Sequence, residues 1–232
     1  MDFTRSIDRG LELAIGMTRS AMGLPDPWEG SIRRFEEEDR RRPPAAGGIV
    51  FTGSSSFTLW STLERDMAPF RVINRGFGGA MIDVVVRSAD RIVLPCRPSA
   101  VVLFAGTNDI SGPNPASPEY VAERFDAFVA RIHAALPWTL VFYVGITPSR
   151  ARWKLWPVAQ EANRLIEERV LADPLLRSVD LTDRLLDADG LPDRSLYRSD
   201  GLHPSKRGYT VWAEEIRSAL EKEPALAPPA AC

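Results

Sequence analysis

The stretch Ala100-Val101-Val102-Leu103-Phe104-Ala105-Gly106-Thr107-Asn108-Asp109 decides the fold. An uninterrupted apolar run closed by a glycine predicts a strand buried on both faces. Polar residues follow at once, so the strand empties into a turn that can carry chemistry. The same order recurs on either side. Ile49-Val50-Phe51 leads to Gly53-Ser54-Ser55-Ser56, and Val72-Ile73 leads to Asn74-Arg75-Gly76-Phe77-Gly78-Gly79. Leu140-Val141-Phe142-Tyr143-Val144 stops at Gly145, and Val179-Asp180-Leu181 predicts a short last strand.

Helical spacing fills the intervals. One helical stretch passes through Leu59 and Leu63, and a second runs from Met81 to Ile92. A long helix aligns Val121, Phe125, Phe128, Val129, Ile132 and Leu136 on one stripe. Two more are predicted from Val158 to Leu171 and from Lys206 to Leu220. Strands alternating with helices predict a three-layer α/β/α domain with about five parallel strands.

Outward from this domain, residues 1–46 read as a helical N-terminal extension. Phe3, Ile7, Leu11, Ala14 and Ile15 recur at helical spacing. A second helix is predicted to start at Asp26-Pro27, an acidic cap followed by a proline, and to end before Pro43-Pro44. Both amphipathic helices need a partner surface, either the main domain or a second copy in a homodimer. The domain proper spans 47–222, and the Ala/Pro-rich 223–232 reads as a disordered tail.

Composition narrows the function classes. With 44% hydrophobic and 26% charged residues, the 232-residue chain matches ordinary globular usage, which excludes a fibrous or mainly disordered protein. A formal charge of −2 supplies no global field for nucleic acid. The chain has no apolar run long enough to span a membrane, and Asp8, Arg9 and Glu12 interrupt any signal-peptide core, so a cytoplasmic protein is expected. Cys96 and Cys232 have no metal-ligand spacing and are expected as reduced thiols; no metal site is expected. Asp187-Ala188-Asp189-Gly190 lacks the ligand pattern of a calcium loop and reads as a turn. Gly76-Phe77-Gly78-Gly79 lacks the third spaced glycine of a dinucleotide loop.

In an open α/β sheet, ligands bind outside the carboxyl ends of the strands. That places four turns on one edge: Gly53 to Ser56, Asn74 to Gly79, Gly106 to Asp109, and Asp200-Gly201-Leu202-His203. Together they hold the parts of a hydrolytic serine site. A serine hydroxyl needs a base, and neutral imidazole suits neutral pH. Only His133 and His203 exist, and only His203 lies in a loop at that edge. Asp200 can orient it. The Ser55 and Gly79 N–H groups and the Asn108 side-chain amide can donate to a developing oxyanion. His133 reads as a helix-surface or edge residue.

These four turns, in this order over about Gly48 to Leu220, resemble the blocks of the SGNH (GDSL-type) serine hydrolases. The resemblance implies Ser55 as nucleophile, Asp200 and His203 as its triad partners, and Gly79 and Asn108 as oxyanion donors. It also implies a flavodoxin-like fold and cofactor-free ester or thioester hydrolysis of a small-molecule, carbohydrate or lipid ester. One departure stands out: the family's Gly-Asp-Ser reads Gly53-Ser54-Ser55 here. Choosing Ser55 among three adjacent serines rests on that likeness; a polar helix cap is the alternative for the run. A serine esterase is the leading reading, with an acyltransferase or a non-catalytic ligand-binding module as alternatives. Thr147 to Trp156 leaves the same edge and mixes cations with indoles. Arg152, Trp153 and Trp156 are therefore candidate substrate-binding residues, with Arg150 or Arg152 holding an anionic group, against the alternative of a packed, solvated loop.

Overall fold

The computed structural model describes residues 26–112 and 114–227. Five parallel strands form one sheet: β1 (Ile49–Gly53), β2 (Val72–Gly76), β3 (Ala100–Phe104), β4 (Leu140–Val144) and β5 (Leu176–Val179), in the order β2-β1-β3-β4-β5. This is the flavodoxin-like order of doubly wound domains, and its topological switch lies between β1 and β3. Every residue of β1, β3 and β4 is buried, which is why these strands read as unbroken apolar runs.

Period-two alternation divides the core. Val50, Val101, Leu103, Val141 and Tyr143 face one cluster; Ile49, Phe51, Val102, Phe104 and Phe142 face the other. Within the domain that follows β1, three helices contribute to the first: α4 (Ile82–Ile92), α5 (Pro118–Ala135) and α6 (Trp156–Ala172). Against the second lie α2 (Ser55–Thr58), α3 (Leu63–Asp66) and α8 (Lys206–Glu221). There Phe57, Trp60, Phe104, Tyr209 and Trp212 form a ring cluster, with Phe104 and Trp212 edge-to-face at 4.9 Å.

Several boundaries differ from expectation. The single helical stretch after β1 is two short helices, because Trp60 turns into the core and Asp66 accepts from Trp60 Nε1 and Thr62 Oγ1. β5 lies at 176–179, not 179–181; Leu181 instead precedes the short α7 (Thr182–Leu185). Residues 223–226, expected in a disordered tail, are ordered. Glu223 is paired with Arg177, Pro224–Leu226 forms a 3₁₀ turn, and Leu226 is buried.

Of the N-terminal extension, α1 (Glu29–Arg41) is described. The helix predicted over Phe3 to Ile15 lies outside the described residues. Trp28, not Asp26, is the N-cap of α1; Asp26 forms the turn before it by accepting the Trp28 N–H at 2.9 Å. The apolar face of α1 is covered by the main domain: Ile32 and Phe35 join the first core cluster. Arg91 holds Glu29 and Glu36 through bonds of 2.6 to 3.1 Å, and Arg75, its guanidinium 5.0 Å from the Phe35 ring centroid, pairs with Asp39. Burying two such apolar side chains contributes roughly 1.5–3 kcal/mol each. Among the described residues, no helix is long and apolar enough to cross a membrane.

Candidate active site

The switch between β1 and β3 brings the Gly53–Ser56 turn beside the Gly106–Asp109 turn. Gly53 makes that approach possible: its φ is +135°, and a Cβ there would lie 2.0 Å from the Phe104 carbonyl oxygen. β1 can therefore end only in glycine at this register, and the chain swings at once into α2.

The three adjacent serines then part company. Ser54 is buried, and its hydroxyl makes neither a capping bond nor any other among the described residues. Ser56 is also buried, and its carbonyl accepts the Tyr209 hydroxyl at 2.7 Å. Ser55 Oγ lies 2.8 Å from His203 Nε2. His203 Nδ1 lies 2.7 Å from Asp200 Oδ2.

The spacing Asp-Gly-Leu-His explains how one carboxylate does this. Asp200 Oδ1 accepts the Leu202 and His203 N–H groups at 2.8 and 3.0 Å, closing a turn that Gly201 completes at φ +65°. Oδ2 is left for the imidazole. Burial disfavours the Asp200 anion, but the bonds from the His203 ring and from the two N–H groups outweigh it and hold its pKa at about 2. Asp200 is thus ionised at any ordinary pH. With Nδ1–H donating to Asp200, Nε2 carries the lone pair that faces Ser55, an arrangement able to accept the serine proton.

Gly79 and Asn108 come from the turns after β2 and β3. Gly79 has φ +70°, and its N–H is bonded to nothing among the described residues. Asn108 Nδ2 donates to the Ala80 carbonyl at 3.0 Å. Asp109, buried, accepts the Ile82 N–H through both carboxylate oxygens at 3.2 and 3.0 Å. Two bonds therefore tie the turn holding Asn108 to the turn holding Gly79.

The model of the GDSL-like lipase/acylhydrolase family matches residues 46–211. The chain belongs to that family. No curated protein matches it. Among solved structures, a Streptococcus pneumonia protein provisionally named a platelet activating factor aligns with a TM-score of 0.72 and 20% identity, over 89% of this chain and 98% of that one. A GDSL-like lipase from Bacteroides thetaiotaomicron aligns at 0.68 and 22%, over 82% and 97%. The lipase/acylhydrolase from Enterococcus faecalis aligns at 0.64 and 21%, over 80% and 100%. At these identities the solved structures share the GDSL-like fold.

The loop after β4 is placed differently from an open substrate wall. Trp156 is buried at the first position of α6 within the core, and Trp153 stacks on it with ring centroids 6.2 Å apart and planes 11° from parallel. Arg150 donates to the Pro192 carbonyl at 2.7 Å and faces Asp187 at 3.6 Å. The Arg152 guanidinium is engaged by Thr107 and Asn108. An open cleft of about 510 Å³ flanks Asp200, lined by Arg150, Arg194, Tyr197, Arg198 and Ser199 among others. His133 bonds the Thr139 carbonyl at 3.0 Å, at the strands' amino ends, where α5 turns into β4.

Three supporting residues had no role in the sequence reading. Asn74 donates to the Phe57 carbonyl at 2.7 Å and accepts the Gly76 N–H at 2.9 Å, tying α2 to β2. Tyr209 ties the serine turn to α8, which follows the histidine loop. Asp109 directly follows Asn108, yet nothing in its position announces the Ile82 contact.

Proposed function

We propose that this protein is a serine esterase acting through an acyl-enzyme. The observation that carries the reading is the hydrogen-bonded chain from Ser55 through His203 to Asp200. Ser55 Oγ attacks the acyl carbonyl carbon while its proton passes to His203 Nε2. The carbonyl oxygen takes the negative charge and accepts from the Gly79 N–H, the Ser55 N–H and the Asn108 amide. The bond to the alcohol oxygen then breaks, and His203 returns the proton to that leaving group. Water repeats the sequence: His203 removes its proton, hydroxide attacks the acyl carbon, and the carboxylic acid leaves as Ser55 regains its proton. Asp200 stays ionised and stabilises the imidazolium formed in each half-reaction.

Labelling with a fluorophosphonate tests this. The expected result is a covalent adduct located at Ser55 by mass spectrometry in the wild type, absent in Ser55→Ala, with ester hydrolysis falling by on the order of 10⁶ in kcat. A wild type that is not labelled at any serine would overturn the reading.

A further inference from the structure

Arg152 stands just before the 3₁₀ turn Trp153–Leu155, in the loop that leaves β4. One guanidinium nitrogen, Nη1, donates to the Thr107 carbonyl and to Thr107 Oγ1, both at 2.8 Å. The other, Nη2, donates to Asn108 Oδ1 at 3.1 Å. The Asn108 amide is thereby held at both ends, since its Nδ2 donates to Ala80 O at 3.0 Å. Turning that amide over would set its NH₂ against a guanidinium and its oxygen against a carbonyl, so only one orientation is stable. The remaining N–H of Asn108 is then fixed in direction.

The charge matters as well as the geometry. Arg152 is half-buried, and among the described residues it pairs with no carboxylate. Burial pushes its pKa below the usual arginine value, but a guanidinium remains protonated. Its unneutralised positive charge therefore sits behind the Asn108 amide. A cation on Oδ1 polarises the amide and makes the free N–H a stronger donor.

We infer that Arg152 is a positioning residue that orients and polarises Asn108 as an oxyanion donor, and is not a substrate contact. This rests on the serine esterase reading and adds to it a residue from a fifth loop. The role requires Arg152 to affect the rate of chemistry through Asn108, leaving ground-state binding alone.

A double-mutant cycle on an ester with a neutral acyl group tests it, with wild type, Arg152→Ala, Asn108→Ala and the double variant. Arg152→Ala should lower kcat about 10- to 100-fold with KM within about twofold, as loss of a transition-state interaction requires. In the Asn108→Ala background the same change should cost under about threefold, because residues acting as a unit are not additive. Arg152→Lys, which keeps the charge but cannot fork, should recover only part of kcat; it carries the same cycle if Arg152→Ala does not fold. Millimolar guanidinium should raise kcat of Arg152→Ala but not of the double variant. Additive losses, or a loss confined to KM for acidic acyl esters, would overturn the assignment and make Arg152 a substrate contact. Ser55→Ala, run alongside, separates the two levels. Its inactivity combined with additive losses removes only the role of Arg152, whereas full activity of Ser55→Ala removes the esterase reading and this assignment together.

Discussion

The Asp109 carboxylate straddles the Ile82 N–H, with its two oxygens at 3.2 and 3.0 Å. It thereby caps the first turn of α4 and locks the turn after β3 to the turn after β2. Two of the three oxyanion donors of the proposed mechanism hang from that junction, Gly79 on one side and Asn108 on the other. A carboxylate is well matched to a helix N-terminus, yet this one is almost fully removed from water.

Burial pushes the Asp109 pKa up to about 6, against the pull of the Ile82 N–H. The ordinary value is near 3.9, so between about pH 4 and pH 6 the native state holds the extra proton. Stability from this group is therefore present below pH 4 and is lost as pH rises to 6, by about 3 kcal/mol at most. Asp109→Asn keeps an acceptor for Ile82 and removes the titration. Denaturant unfolding of both proteins at pH 4, 5, 6 and 7 should show the wild type losing stability relative to Asp109→Asn across this window. A difference independent of pH would show that burial does not control the group.

Ser54 is the position where the family's motif carries aspartate, and its buried hydroxyl has no partner among the described residues. Leaving such a group unpaired costs roughly 1–3 kcal/mol. Ser54→Ala removes the unpaired hydroxyl and leaves a void of about one oxygen atom, so it should be neutral or stabilising by about 1 kcal/mol. Esterase activity should be unchanged, because the attacking hydroxyl assigned above belongs to Ser55. Thermal unfolding and a kinetic assay check both halves. A clear drop in melting temperature would mean that Ser54 has a bonding role.

Much of this architecture was readable from the sequence, for a physical reason that also explains the failures. β1, β3 and β4 are buried on both faces, so apolar continuity marks them. β5 is an edge strand whose two central residues, half-buried Arg177 and exposed Ser178, are polar; the apolar signal therefore slid to Leu181, which serves α7. The Asp200–His203 relation is legible because it is made within one turn. The partners of Asp109, Tyr209 and Arg152 are not, since each contact joins segments distant in sequence and no periodicity encodes it. Trp156 is the opposite case: an indole in a loop at the sheet edge suggested a pocket wall, while the helix it begins packs it against the core.

Two glycines at the site have different requirements, and alanine at each separates them. At Gly53 a Cβ would meet the Phe104 oxygen at 2.0 Å, so β1 and β3 would have to part. Gly53→Ala should abolish soluble, folded protein. At Gly79 the nearest atom to a Cβ is Trp28 Nε1 at 4.0 Å, so the only cost is the left-handed backbone, about 1–2 kcal/mol. Gly79→Ala should fold, with a modest fall in melting temperature, and should lose kcat to the extent that relief of its φ swings the N–H away. Circular dichroism and kinetics distinguish the two. A folded Gly53→Ala protein would contradict the register Gly53↔Phe104.

The last prediction concerns α1, whose entry reaches the site. Trp28 Nε1 donates to the Gly78 carbonyl at 3.1 Å, one residue before Gly79, and Arg87 lies 5.7 Å from the Trp28 ring centroid while pairing with Asp26. The extension thus holds the exposed glycine turn from outside the domain. Trp28→Phe keeps an aromatic ring for Arg87 and removes the N–H donor together with a small part of the ring's packing. A single neutral hydrogen bond contributes roughly 0.5–1.5 kcal/mol, so kcat should fall by up to about tenfold with little change in melting temperature. Phe35→Ala instead empties a core position and should cost about 3–5 kcal/mol of stability. If Trp28→Phe changes neither kcat nor KM, the Gly79 turn is rigid without the extension, and α1 serves the core alone.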